Sequence, residues 1–257
     1  MRSSQDGAQR NFSNWTRRPR KYFGSGNCRR DNKGALMNVE MVAFDVAGTV
    51  LNDDGLVIAA FKNAFEATQP DLWPTHGEQW TQYAIDTMGQ SKIHVFTELL
   101  GDAEKAHAAN VAFEESYVNE IAEVGAVPIT GAEEIFKYLR SKGIAVALTT
   151  GFSRSTLDTL LVQLGWKDLI DLSVTPGEAG RGRPHPDMLN MAVEVLGISK
   201  PAHVIVCGDT AADMQAAVSF GARQVIGVLT GAHDEHRLHD AGATSVINSV
   251  ADLKSLI

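Results

Sequence analysis

Four short segments of the chain carry the residue types that phosphoryl chemistry needs. They are Asp45-Val46-Ala47-Gly48-Thr49, Thr149-Thr150-Gly151, Gly180-Arg181-Gly182-Arg183-Pro184 and Gly208-Asp209-Thr210-Ala211-Ala212-Asp213. Together they offer carboxylates, hydroxyls, glycines that let a backbone approach an anion, and a guanidinium. A hard cation such as Mg²⁺ takes one or two carboxylates together with water and substrate oxygens. An arginine recognises phosphate through a planar fork of donors. Each segment alone has a plainer reading. Asp45 could be a turn or cap residue, Asp213 a helix first-turn acid, and Arg183 a surface charge. Their agreement in order, each following an apolar run, is what points to a divalent cation and a phosphoryl group.

The intervening sequence alternates strands and helices. Met41–Phe44, 144–148, Leu172–Val174, 204–207 and Gln224–Val228 read as strands. Helices are expected at 57–67, Ala103–Val124, 132–142, 153–164, 186–196 and Ala211–Phe220. Gly131 precedes one of these and Gly143 stops it. The alternation predicts an α/β fold with a doubly wound parallel sheet, in which ligands bind outside the carboxyl ends of the strands. Residues 55–126 break the pattern: they read as almost wholly helical, an insertion after the first strand. The expected organisation is a core of 37–54 and 127–257, a helical cap of 55–126, and a preceding tail of 1–36.

Charge divides the same way. The 257 residues carry 23 basic and 31 acidic side chains, a net −8. Nine of the basic and two of the acidic residues lie in 1–36, which is therefore +7; the remainder is −15. The acidic body is poorly suited to nucleic acid, and no apolar run approaches the roughly 20 residues that cross a bilayer. Two cysteines make no disulfide framework, which suits a reducing cytoplasmic location. The tail, rich in Arg, Asn, Ser and Gly, leaves three readings open: an organelle transit peptide, a basic arm for nucleic acid or a membrane surface, or upstream sequence translated ahead of a start at Met37 or Met41.

The four segments, in this order over roughly residues 41–230, resemble the motifs of the haloacid dehalogenase superfamily of phosphotransferases. The resemblance implies a Rossmann-like core in which Asp45 is the nucleophile and Thr149 or Thr150, with Gly48, Thr49 and Gly151, receives the phosphoryl group. It makes Arg183 the basic residue, and Asp209 and Asp213 the Mg²⁺ ligands, helped by Asp45 and the backbone carbonyl of Ala47. Ordinary phosphatases of this superfamily have a second Asp where Ala47 stands, and a positioned acid or base contributes roughly 10²–10⁴ in rate. Asp-x-Ala-Gly-Thr is the pattern of the phosphonoacetaldehyde hydrolase branch, whose substrate forms an imine with a cap lysine. Met88-Gly89-Gln90-Ser91-Lys92 is similar to the Met-Gly-x-x-Lys segment of that branch, with Lys92 at the imine position.

Three positions depart from that branch. Val95 stands where it has His, with His94 adjacent; Phe152 replaces a Tyr; and Asn52-Asp53-Asp54-Gly55-Leu56 lacks its Cys. The chain is therefore closer to the phosphonatase-like hydrolases. The expectation is a Mg²⁺-dependent hydrolase of a small phosphonate, with a phosphoglycolate-phosphatase-like monoesterase and a silent phosphate-binding module as alternatives. A homodimer is expected by resemblance only. Outside the motifs, His185 reads as a helix start, and His233, His236 and His239 as a solvated polar helix. Cys207 reads as a small buried residue and Cys28 as inert. Trp73, Trp80 and Tyr83 read as packing.

Overall fold

The computed structural model describes residues 39–257; the tail, Met37 and Cys28 lie outside the described residues. The first strand, β1 (Met41–Phe44), is followed by four helices: α1 (Leu56–Thr68), α2 (Trp73–Asp86), α3 (Lys92–Leu100) and α4 (Ala103–Val124). The alternating part then runs α5 (Ala132–Ser141), β2 (Ala145–Thr149), α6 (Arg154–Gln163), β3 (Leu172–Val174), α7 (Pro176–Ala179), α8 (Asp187–Leu196), β4 (Val204–Gly208), α9 (Ala211–Phe220), β5 (Gln224–Val228), α10 (Glu235–Asp240) and β6 (Ser245–Ile247). Every strand expected from the sequence is present, and β6 is an addition at the edge. The helix expected at 186–196 begins at Asp187, because Pro186 occupies the N-cap.

All strand pairs are parallel, in the order β3-β2-β1-β4-β5-β6. The central strands are buried along their whole length, so they read as continuous apolar runs, as parallel strands covered on both faces do. Alternate residues face opposite ways. Val42, Phe44, Val146 and Leu148 join α5 and α6 in one core, while Met41, Ala43, Ala145 and Ala147 join α8 and α9 in the other. Phe136 anchors the first core, edge-on to Phe44 at 5.4 Å and to Trp166 at 5.2 Å. Truncating it to Ala would cost about 3–5 kcal/mol.

The chain reverses its direction across the sheet at β1, flanked by β2 and β4. This switch point opens a crevice at the carboxyl ends of β1 and β4. The inserted helices have their own aromatic centre: Phe61 lies 4.8 Å from Phe96 and 5.0 Å from Phe113, and Phe65 4.6 Å from Trp80. Trp80 is buried there, as packing requires. No helix among the described residues is long and apolar enough to cross a membrane.

Candidate functional site

Asp45 is the first residue beyond β1, and its N–H donates to the Cys207 carbonyl at 2.9 Å. Asp209 follows β4, and Asp213 lies in the first turn of α9. One oxygen from each of the three carboxylates can be chosen so that all lie within 4.8 Å of one another, and all three residues are buried. Asp213 also serves the helix. Thr210 caps α9, and its N–H donates to Asp213 Oδ2 at 3.1 Å. The cap and the acidic reading of Asp213 are thus one arrangement.

Arg183 comes from the loop after α7 and is 5% exposed. Its Nη1 donates to Asp45 Oδ1 at 2.6 Å and also to Asp213 Oδ1. Burial alone would disfavour the guanidinium, but the two carboxylates raise its pKa above the ordinary arginine range. Its Nε is buried without a partner among the described residues. Burial lifts Asp45 to about 6, against the pull of Arg183. Asp209 is pushed well above the carboxylate range by burial and by the other two acids. Three clustered buried acids, with one guanidinium bonded to two of them, are short of positive charge, and an all-oxygen donor set of this kind fits a hard divalent cation.

Asp209 is held by three further donors. Thr49 Oγ1 donates to its Oδ1 at 2.8 Å and the Ala232 N–H to its Oδ2 at 2.8 Å. The His233 N–H reaches its backbone carbonyl at 3.2 Å. The approach is so close that a Cβ on Gly48, whose φ is +84°, would sit 2.5 Å from Asp209 Oδ2. His233 corrects the sequence reading. It is 5% exposed, precedes α10, and accepts the Ala211 N–H through Nδ1 at 2.8 Å; His236 and His239 are exposed, as expected.

The inserted helices close the crevice from above. Lys92 is the first residue of α3 and is 5% exposed. Its Nζ sits 5.6 Å from the Phe61 ring centroid and 5.9 Å from that of Phe113. Burial, then the charge of Arg183, pulls its pKa down to about 8; the positive end of α3 acts in the same direction. Gly89 has φ +88°, and a Cβ there would meet Thr210 Oγ1 at 2.2 Å. A Cβ on Gly151 would meet the Gln90 carbonyl at 2.6 Å. The seam is therefore tight, with the Gly89 backbone against the Thr210 side chain and the Gly151 backbone against that of Gln90.

A cavity of about 30 Å³ remains between the two parts. Asp45, Ala47, Thr150, Gly151 and Arg183 line it from below, and Met88, Gly89 and Lys92 from above, with Val57, Phe152 and Thr210 between. Gly48, Thr49 and Thr149 stand behind these walls. Of the two threonines, it is Thr150, just beyond β2, that lines the cavity; Thr149 is the last residue of β2 and pairs with Val174 in the sheet.

Several neighbours carried no recognisable signal in the sequence. Asp53 is partly buried; burial raises the pKa of its carboxyl, opposed first by the Val57 N–H that donates to it at 3.2 Å and then by the charge of Lys92. Glu114 of α4 accepts from Ser153 N at 3.0 Å and Ser153 Oγ at 2.8 Å. It is one of several glutamates on that helix, and no spacing marks it. Tyr117 is fully buried, its ring 4.5 Å from that of Phe152. Val95 is buried and His94 exposed, so neither places an imidazole in the cavity. Cys207 is a buried thiol within β4, its pKa raised by burial.

Comparison with known proteins agrees with this geometry. Residues 39–221 match the model of the haloacid dehalogenase-like hydrolase family. A phosphonoacetaldehyde hydrolase of Bacillus mycoides is 33% identical over 219 residues, covering 77% of this chain and 78% of the relative. A bifunctional riboflavin kinase/FMN phosphatase of Arabidopsis thaliana is 25% identical over 218 residues, or 83% of this chain; the chain spans 54% of that relative's length. A phosphonoacetaldehyde hydrolase-like protein from Oleispira antarctica shares the fold, with a TM-score of 0.73 at 22% identity over 88% of this chain and 95% of that one. With the four motifs gathered at one switch point, the chain belongs to the haloacid dehalogenase-like hydrolases, in their phosphonatase-like branch.

Proposed function

We propose that this hydrolase cleaves the C–P bond of phosphonoacetaldehyde or a closely related aldehyde phosphonate, with Mg²⁺ as cofactor. The observation that carries this reading is the pairing of Lys92 with Asp45 in one cavity whose second carboxylate position is Ala47. A lysine buried over two aromatic rings, with a pKa near 8, holds a useful fraction of neutral amine at physiological pH.

The Lys92 amine adds to the aldehyde carbon, and water leaves to give a protonated imine. Asp45 then attacks phosphorus in line. The C–P electron pair moves to carbon and neutralises the imine as an enamine, so no acid is needed at Ala47. Water hydrolyses the aspartyl-phosphate to phosphate. Protonation of the enamine carbon and hydrolysis release acetaldehyde and restore Lys92. Arg183 and the Thr150 hydroxyl hold the phosphoryl oxygens, and the Arg183 Nε, which has no partner among the described residues, is a donor suited to that task. Asp45, the Ala47 carbonyl, Asp209 and Asp213 would hold the cation, whose positive charge would offset the negative charge on the transferring phosphoryl group. Residues 55–126 act as a cap over the core. A cavity of about 30 Å³ holds little more than one or two waters, so substrate enters when the cap lifts.

A second reading, a small-metabolite phosphatase, is favoured by one observation. Val95 and Phe152 stand where the phosphonoacetaldehyde hydrolase branch has His and Tyr, and no imidazole or phenol is among the described residues that line the cavity. One experiment separates the two. The protein is incubated with phosphonoacetaldehyde and borohydride, and Lys92 is examined by mass spectrometry, with phosphate release measured in parallel. A reduced adduct on Lys92 and phosphate release support C–P cleavage. Turnover of phosphate monoesters with no adduct replaces it with the phosphatase.

A further inference from the structure

The cap meets the core through two polar clasps on opposite sides of β1. On the β2 side, the Glu114 carboxylate of α4 accepts from the Ser153 N–H at 3.0 Å, from Ser153 Oγ at 2.8 Å and from Thr156 Oγ1. Ser153 is the N-cap of α6, so a cap anion sits at the positive end of a core helix. On the β5 side, Arg237 of α10 donates to the Asp86 carbonyl at 2.7 Å, and its Nη1 lies 3.7 Å from Asp86 Oδ1. Asp86 is the last residue of α2, so a core cation sits at the negative end of a cap helix. Each charge is paired with the helix terminus of opposite sign. Between the clasps lie the tight contacts of Gly89 on Thr210 and Gly151 on Gln90.

We propose that Glu114 and Arg237 are positioning residues that hold the cap shut and so place Lys92 over Asp45. The proposal rests on the reading of residues 55–126 as a cap that opens, and on no particular substrate. Neither side chain touches the reacting atoms. Both clasps lie at the rim of the seam, partly exposed, so salt screens them. Closure should therefore weaken as ionic strength rises, although the aromatic centre of the cap and the apolar core of the sheet do not respond to salt. The Arg237 clasp also touches the metal side of the site. Two residues before α10 begins, and four before Arg237, the His233 ring and N–H brace Ala211 and the Asp209 carbonyl.

The test is hydrogen–deuterium exchange of the full chain, read at the amides of residues 88–92 and compared with β1 and β4. Glu114→Gln and Arg237→Gln should each speed exchange at 88–92 about two- to tenfold, with more in the double variant, while β1 and β4 keep their protection. Added salt should speed exchange at 88–92 in the unaltered protein and have little effect in the double variant. Arg237→Lys, which keeps one donor for the Asp86 carbonyl, should recover part of the protection. Exchange at 88–92 that stays unchanged, that rises equally in β1 and β4, or that keeps its salt response in the double variant overturns the proposal. Should Glu114→Gln fail to fold, Arg237→Gln and the salt series decide it. A null result here leaves the borohydride result standing, and the reverse also holds.

Discussion

Arg183 and Asp45 are 138 positions apart in sequence, yet Nη1 of one lies 2.6 Å from Oδ1 of the other, and both are almost wholly shielded from water. The same nitrogen also serves Asp213. One guanidinium therefore holds together a loop after β1 and a turn after β4. Removing a partner from a buried ion pair leaves an uncompensated charge, which costs about 3–5 kcal/mol. Arg183→Ala should lose stability on that order in denaturant unfolding without added metal. Asp45→Asn in the same background should recover part of it, because one of the stranded carboxylates is gone. Additive losses would show that the two groups are not coupled.

The amine of Lys92 is neutral more readily in the fold than in the unfolded chain, with a pKa near 8 against an ordinary 10.5. The fold therefore disfavours the ammonium, and this contribution to stability improves as pH rises from about 8 to 10.5. Lys92→Met should be more stable than the unaltered protein at pH 7, with the gap closing toward pH 10.5, and should form no borohydride adduct. Melting curves at pH 7 and 10 measure the gap, and a constant gap would contradict a buried, perturbed amine.

Asp45 titrates near 6 rather than its ordinary 3.8. Without a cation the fold disfavours the Asp45 carboxylate, so this group lowers stability as pH rises through that window. With Mg²⁺ the carboxylate is the binding form, and the sign reverses. Mg²⁺ should raise the melting temperature at pH 7.5 and have progressively less effect below about pH 6. Asp213→Asn should reduce the Mg²⁺ response. Equal shifts at pH 5 and 7.5 would remove Asp45 from the ligand set.

Gly89 combines a left-handed φ of +88° with a Cβ position 2.2 Å from Thr210 Oγ1. The backbone strain of a side chain there is about 1–2 kcal/mol before the clash is counted. Gly89→Ala should keep the core's thermal unfolding and lower kcat/KM by at least about tenfold, since closure brings these atoms together. Activity close to that of the unaltered protein would mean that the seam yields freely.

The strands and core helices were legible because parallel strands buried on both faces must be apolar throughout, and because residues such as Gly131 and Gly143 mark helix ends by their own chemistry. Residues 55–126 showed their helical character but not their packing. The edge strand Ser245–Ile247 escaped notice, since three half-buried residues carry no period. His233 was grouped with His236 and His239 because proximity in sequence says nothing of burial; its ring turns inward only because β5 and α9 bring Ala211 alongside it. Glu114 and Arg237 were invisible for the same reason, as each finds its partner on another element.

Residue type and order alone determined the class of chemistry: four polar segments at strand ends, Ala47 in place of a second acid, and a lysine after Met88-Gly89. These are local properties of the chain. The tertiary structure decided what depends on distance and dielectric. It made Thr150 rather than Thr149 the cavity residue, brought three carboxylates together with one guanidinium bonded to two of them, and buried Lys92 among aromatic rings deeply enough to lower its pKa. Burial and charge proximity are properties of the folded arrangement, and a sequence holds them only through the fold that it specifies.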